Sequence, residues 1–334
     1  MRVLAGAARD WRGIAQAAHN RASYAQVFEA LNPRHFDTLA RGLELWADTP
    51  YVTTPLLKLY GELLYQRGQR INFGNNSPNG VLLFRAAARV VSAYGTSPCR
   101  ATPLPDTQTY ARLYKGVSIC TSILSRALDG NFVNFAVFKL YNDPSMDGAT
   151  GALLTLLLRI PPDDLFHYPK LTLLYMTLVN LLLRSFMEVI VALPAQYFHQ
   201  VLLTLSRGMD SLEGEVSAQA ASSIDLLATF FVRNERKDSP TALALKNHVG
   251  ANPRVFHELM LTVFRVLVFD DSPSTHSLTR PLLPVVLAAQ VVQPAALEEY
   301  KAELVASQPP EKRQRMVEEF NRLTEGVVKS LDMR

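Results

Sequence analysis

The residues best suited to chemistry in this sequence are its 7 histidines and 2 cysteines. A zinc site needs roughly three or four ligands, usually visible as pairs a few positions apart. Cys99 and Cys120 stand 21 positions apart with no histidine at ligand spacing. His19, His35, His167, His199, His248, His257 and His276 are dispersed along the chain. A lone helical histidine lacks the positioned partner that acid–base catalysis requires. No HExxH pair, Walker A run or GxGxxG follows the spacing those chemistries demand. Ser211, within Met209–Gly214, lacks the strand and the GxSxG turn of a nucleophile elbow. Glu213 and Glu215 cannot be read as a glycosidase pair, because nothing fixes their separation. Asp163-Asp164 and Asp270-Asp271 follow apolar helical runs and suit helix caps. The expectation is a protein that is not an enzyme, with no catalytic residue, cofactor or metal site.

Partner contacts are the remaining chemistry, and charge is their first signal. The 334 residues carry a net charge of +4, and 19% are charged, below the usual quarter. The basic residues are scattered, so no nucleic-acid partner is expected. The two densest groups are Arg233, Arg236 and Lys237, and then Lys312, Arg313 and Arg315. These six are the candidate partner-contact residues, although exposed charge runs are more often solvated surface. Two cysteines do not make a disulfide framework, which suits a reducing compartment. The opening MRVLAGAARDW meets Asp10 before any long apolar run and does not read as a signal peptide. Asn75-Asn76-Ser77 fits a sequon and reads instead as a capping turn.

The elements that would carry these residues are helices. A capping residue precedes proline at Asn32-Pro33, Thr54-Pro55, Ser77-Pro78, Ser239-Pro240 and Asn252-Pro253. Such side chains accept from the free N–H groups of a first helical turn, and proline suits the next position. Ser23 with Gln26 fits a capping box, and Asp210 with Glu213 an acidic start. Gly68, Gly130 and Gly250 read as stop signals.

Apolar ridges recur at helical spacing. Val255, Leu259, Val263 and Leu267 form one; Phe256, Met260, Phe264 and Val268 form its neighbour, with His257 and Arg265 off that face. Leu113, Val117, Cys120, Leu124 and Ala127 form another, so Cys120 reads as core. Met316, Phe320, Leu323, Val327 and Leu331 form a fourth. The first helix carries Val3, Leu4 and Ile14 on an apolar face.

The spacing predicts helices at 3–18, 22–31, 34–47, 55–67, 78–94, 108–129, 148–160, 169–183, 185–192, 195–207, 211–232, 241–249, 253–269, 277–290, 294–306 and 311–331. Loops are expected at 95–107 and 233–240. The run from Leu171 to Leu193 is apolar for part of its length. Arg184 and Glu188 then interrupt it, each costing about 2.5–3.5 kcal/mol inside a bilayer. It reads as two buried helices meeting near Arg184, with no membrane insertion.

The expected fold class is all-α, an α-solenoid of HEAT-like, armadillo-type helical repeats. Pro33, Pro55 and Pro78 fall 22 and 23 positions apart, close to half of a ~40–47-residue HEAT unit. The whole chain, 1–334, would then be one solenoid of about seven or eight helix pairs. A compact irregular helical domain is the alternative.

Several stretches resemble a known family. Trp11 to Ile14 opens the first. LELWADTPYVTTPLLKLYGELLYQRGQRINF (Leu43 to Phe73), SPNGVLLFR (Ser77 to Arg85) and LYKGVSICTSILSRALDGNFVNFAVFKLYND (Leu113 to Asp143) follow in order. HYPKL (His167 to Leu171), VLVFDDSPSTHSLTRPLLPVVLAAQ (Val266 to Gln290) and SQPPEKRQRM (Ser307 to Met316) continue it. Together they resemble the C-terminal third of the exportin-7 and Ran-binding-protein-16/17 subfamily of importin-β-type nuclear transport receptors. The likeness is weakest at 95–107 and 172–250.

That resemblance implies a HEAT-repeat superhelix that carries protein cargo through nuclear pores under control of the GTPase Ran, in exportins with both bound in the nucleus and released in the cytoplasm. It implies shuttling between nucleus and cytoplasm, and docking of the pore's Phe-rich repeats between outer helices. It also implies that the chain is part of a longer receptor, without the N-terminal Ran grip and the final basic segment. Ran binding by this chain alone would then be weak or absent. A helical-repeat interaction scaffold unrelated to nuclear transport is the alternative reading.

Overall fold

The computed structural model describes residues 1–74, 77–97, 110–269, 279–307 and 309–324. Cys99, Asn75, Asn76, Asp270, Asp271, His276, Val327, Leu331 and most of the 95–107 loop lie outside them. Among the described residues every regular element is helical and none is a strand. The chain runs α1 (Arg2–Ala17), α2 (Arg21–Leu31), α3 (Arg34–Leu45), α4 (Pro50–Leu63) and α5 (Asn79–Gly95). A π turn, Tyr110–Tyr114, leads into α6 (Lys115–Asp129), then α7 (Ala136–Leu140), α8 (Ser145–Leu157), α9 (Pro162–His167) and α10 (Pro169–Ser185). There follow α11 (Met187–Val191), α12 (Ala195–Met209), α13 (Gly214–Arg233), α14 (Pro240–Ala251) and α15 (Val255–Phe269). The last three are α16 (Leu282–Val292), α17 (Ala296–Ser307) and α18 (Pro310–Thr324).

The cap-proline pairs act in different ways. Ser239 caps α14 as expected: its side chain accepts from the Ala242 N–H, and Pro240 takes the first helical position. Ser77 and Asn252 accept from the N–H groups of Asn79 and Arg254 and turn the chain into the next helix. Asn32 closes α2. Thr54-Pro55 opens no helix. Thr49-Pro50 opens α4, and Pro55 lies inside the helix. Proline at that point leaves the Tyr51 carbonyl without its helical donor; Tyr51 is exposed, so water can serve it.

The capping box belongs to Asn20 and Ser23, one turn before the expected pair. Gly250 is no stop, since α14 runs through it. Asp210 opens no helix: it closes α12, and its side chain pairs with Arg265 at 2.6 Å. Helices α7 and α9, of 5 and 6 residues, are too short to show a period.

The apolar ridges pack inward. Val255, Phe256, Leu259, Met260, Val263 and Phe264 are buried in α15, as are Val117, Cys120, Leu124 and Ala127 in α6. His257, expected off the face, is buried beside them. On α1, Val3 and Ile14 stand exposed, while Leu4 turns inward onto Gly42. The apolar stretch from Leu171 breaks at Phe186, between α10 and α11, flanked by Arg184 and Glu188. No single helix among the described residues is long and apolar enough to cross a membrane.

The contacts gather into two units, Met1–Leu178 and Val179–Arg334. In the first, α1 packs on α4 and α4 on α6, while α3 packs on α5 and α5 on α8. These are two layers of helices, each contacting the next along the chain, as in a helical repeat. In the second, α12 packs on α13, α13 and α15 on α16, and α17 on α18. Small buried residues on α13 (Ser217, Ala220, Ala221, Ala228) let α12 and α16 come close.

Candidate functional site

The six expected contact residues lie on two different elements. Arg233 ends α13, and Arg236 and Lys237 occupy the following turn; all three are exposed. The turn is held by Lys246, whose Nζ donates to the Lys237 carbonyl at 2.8 Å and meets Asp238 at 3.3 Å. Lys312, Arg313 and Arg315 lie in the first turns of α18, where Arg313 and Arg315 are exposed. Neither group lines a concavity described here.

The concavity that does gather charge lies in the first unit. A groove of about 400 Å³ is lined by Arg12, Lys58, Glu62, Lys115, Arg126 and Lys170, with Gly61, Tyr110, Ser118, Ile119, Ser122 and Leu174 between them. Its walls come from α1, α4, α6 and α10. On α6, Lys115, Ser118, Ser122 and Arg126 repeat at helical steps and form one polar stripe. The Val117, Cys120, Leu124 and Ala127 ridge fills the core side. Lys58 and Glu62 are one turn apart on α4.

Five of the lining groups are cations and one is an acid, and that acid is already engaged. Glu62 meets Arg70 at 3.0 Å and Arg67 at 3.3 Å. Arg70 is fully buried behind the groove. Its Nη1 donates to the Ala15 and Ala18 carbonyls at 2.6 and 2.9 Å, its Nη2 to the Glu62 carbonyl at 2.7 Å, and its Nε to Tyr65 at 3.1 Å. The Tyr24 ring lies 5.3 Å from the guanidinium carbon, and the Tyr24 hydroxyl donates to the Leu63 carbonyl at 2.5 Å. One arginine therefore closes the carboxyl ends of both α1 and α4, where carbonyls lack helical donors. Left-handed φ angles of 56° at Gly68 and Gln69 turn the chain back to deliver it. Gly68 thus serves a reversal beyond the helix end rather than the stop itself.

Arg126 bridges this cluster to the groove. Its Nη1 donates to the Gly61 carbonyl, and its guanidinium lies 4.5 Å from the centre of the Tyr65 ring. Burial lowers its pKa, which Glu62 and Tyr65 partly oppose. Lys58 is also lowered, first by desolvation and then by Lys115, Arg12 and Lys170. Arg12, Lys58, Lys115 and Lys170 have no ion pair among the described residues. Arg85, Arg89, Arg265 and Arg280, in contrast, each hold a carboxylate.

The sequence conceals this groove because its cations come from positions 12, 58, 115, 126 and 170. No run of charge marks it. The one local signal is the Lys115–Ser118–Ser122–Arg126 stripe opposite an apolar ridge.

No family model matches the chain. Exportin-7-B of Xenopus laevis is 34% identical over 98% of this chain. Ran-binding protein 17 of Homo sapiens is 35% identical over 100% of it, and exportin-7 of Dictyostelium discoideum 28% identical over 86%. The chain spans about 30% of the length of these curated relatives.

Proposed function

We propose, from the premise that this chain is a homologue of exportin-7 and Ran-binding proteins 16 and 17 along its whole length, that it serves as the C-terminal part of a nuclear export receptor. The observation that carries this reading is the similarity along the chain, 34–35% identity across 98–100% of it. The all-helical packing of each unit supports it, because stacked helices offer surface rather than a reaction centre. In this reading the chain binds and carries; it does not catalyse.

The receptor would hold protein cargo and GTP-bound Ran together, shuttle between nucleus and cytoplasm, and pass the pore by docking Phe-rich repeats between neighbouring helices. Residues 1–334 would form one continuous stretch of HEAT-like pairs within it. Small changes at each helix interface would sum to a change in curvature. Cargo and Ran would then couple by favouring the same curvature, a reciprocal linkage. Arg233, Arg236, Lys237, Lys312, Arg313 and Arg315 would supply exposed polar contacts to partners.

The main grip on Ran would lie in the part of the receptor outside this span. The isolated chain is expected to bind GTP-loaded Ran more weakly than micromolar. Human Ran-binding protein 17 with its matching segment replaced by this chain is expected to bind cargo and Ran with mutual enhancement. Titration of each ligand in the presence of the other reads both. Sub-micromolar Ran binding by the isolated chain, or a folded chimera in which the ligands bind independently, would contradict the reading.

A further inference from the structure

We propose that the groove between α1, α4, α6 and α10 is a docking site for an acidic peptide segment of a partner protein. This goes beyond the transport reading and does not depend on it. Four observations converge. Arg12, Lys58, Lys115, Arg126 and Lys170 face one concavity. Four of them have no ion pair among the described residues, although arginines elsewhere on the surface find carboxylates. The single lining acid, Glu62, is held by Arg67 and Arg70. The mutual repulsion is already felt at Lys58, where neighbouring cations help to lower its pKa. An unneutralised cluster of like charge attracts ligands of the opposite sign and speeds their arrival.

The form of the site favours a peptide carboxylate over other anions. At about 400 Å³ the groove admits side chains, not a duplex. Ile119 and Leu174 give it apolar spots that a peptide's methylenes can cover. Arginine is the side chain best made for bidentate phosphate, but Arg126 already gives one Nη to the Gly61 carbonyl and lies against Tyr65. Three of the remaining four cations are lysines, point charges on flexible stems, which carboxylates on an extended chain can meet one by one.

The test uses the full chain and a fluorescein-labelled poly-Glu peptide, followed by anisotropy at low salt, with poly-Gln of equal length as comparison. The poly-Glu peptide is expected to bind and poly-Gln not to. The double variant Lys58→Glu/Lys115→Glu should weaken binding by about tenfold or more. The milder Lys58→Gln/Lys115→Gln should weaken it in the same direction and serves if the first fails to fold. Arg34→Glu/Arg41→Glu makes the same change in net charge at exposed positions of α3, outside the groove lining, and should shift affinity by less than about twofold.

Equal weakening by the two Glu double variants would reduce the effect to overall charge and overturn the proposal, as would equal binding of poly-Glu and poly-Gln. Inositol hexakisphosphate is the competitor for the phosphate alternative. If it displaces the peptide at lower concentration than free poly-Glu does, and its binding is the more sensitive to Lys58 and Lys115, the site belongs to phosphate and the peptide assignment falls.

Discussion

Replacing Arg70 with Met should destabilise the Met1–Leu178 unit by about 3–5 kcal/mol, the cost of removing one partner from a buried charged network. Methionine fills similar volume, so the loss is electrostatic rather than a cavity. Four carbonyls, those of Ala15, Ala18, Glu62 and Tyr65, lose the guanidinium together, and of these Glu62 keeps a second donor in the Tyr65 N–H at 3.1 Å. Each buried acceptor left bare costs about 1–3 kcal/mol. Those of Ala15, Ala18 and Glu62 also sit at helix carboxyl ends, where a cation is favoured.

Lysine in the same place should recover only part of this, because an ammonium cannot reproduce the planar fork that meets acceptors on α1 and α4 at once. Glu62→Gln should cost less than either, since Arg70 keeps its carbonyls. Urea unfolding followed by circular dichroism gives the order. An Arg70→Met protein within about 1 kcal/mol of the parent would refute the role given to this residue.

Gly116→Ala should be the second large effect, and its sign is informative. Alanine in a helix interior is ordinarily better than glycine by about 0.8–1 kcal/mol. At Gly116 a Cβ would stand 1.9 Å from the Tyr94 hydroxyl and 2.3 Å from its Cζ. Tyr94 is buried and its hydroxyl donates to the Leu113 carbonyl at 3.2 Å, so the ring has nowhere to swing. Overpacking costs about 1–3 kcal/mol or more and outweighs the propensity gain.

The same substitution at Gly6 or Gly13 meets nothing within 4 Å and should stabilise α1 by about 0.5–1 kcal/mol. Thermal unfolding of the three variants separates the cases. Tyr94→Phe in the Gly116→Ala background should recover only part of the loss, because the ring carbon remains too close. A Gly116→Ala protein melting at or above the parent temperature would show that α5 and α6 are not packed this closely.

Periodicity carried the fold, because burial of a helix face is written locally. The Val255 and Phe256 ridges, Cys120, the Ser239 cap and the break near Arg184 were all legible from spacing alone. Helix ends were less so. Thr49-Pro50 and Thr54-Pro55 read alike, and only the packing of α4 decides between them. Arg70 lies beyond the helix expected at 55–67, and nothing nearby in sequence announces that two helix ends converge on it.

The candidate site was hidden for the same reason. Runs of basic residues drew attention to Arg233–Lys237 and Lys312–Arg315, which the chain leaves on exposed elements. The groove instead assembles five cations from four helices far apart in sequence. Local pattern finds faces; convergence of faces is a tertiary property.

Nuclear export in living cells reads out whether this helical chain works as part of an export receptor. Cells depleted of Ran-binding protein 17 would receive the chimera in which this chain replaces the matching segment, together with a fluorescent cargo of the parent receptor. The account predicts a cytoplasmic-to-nuclear cargo ratio restored to that of the parent, and lost when Ran cannot load GTP. A chimera that is folded and reaches the nucleus, yet leaves the cargo there, would contradict it.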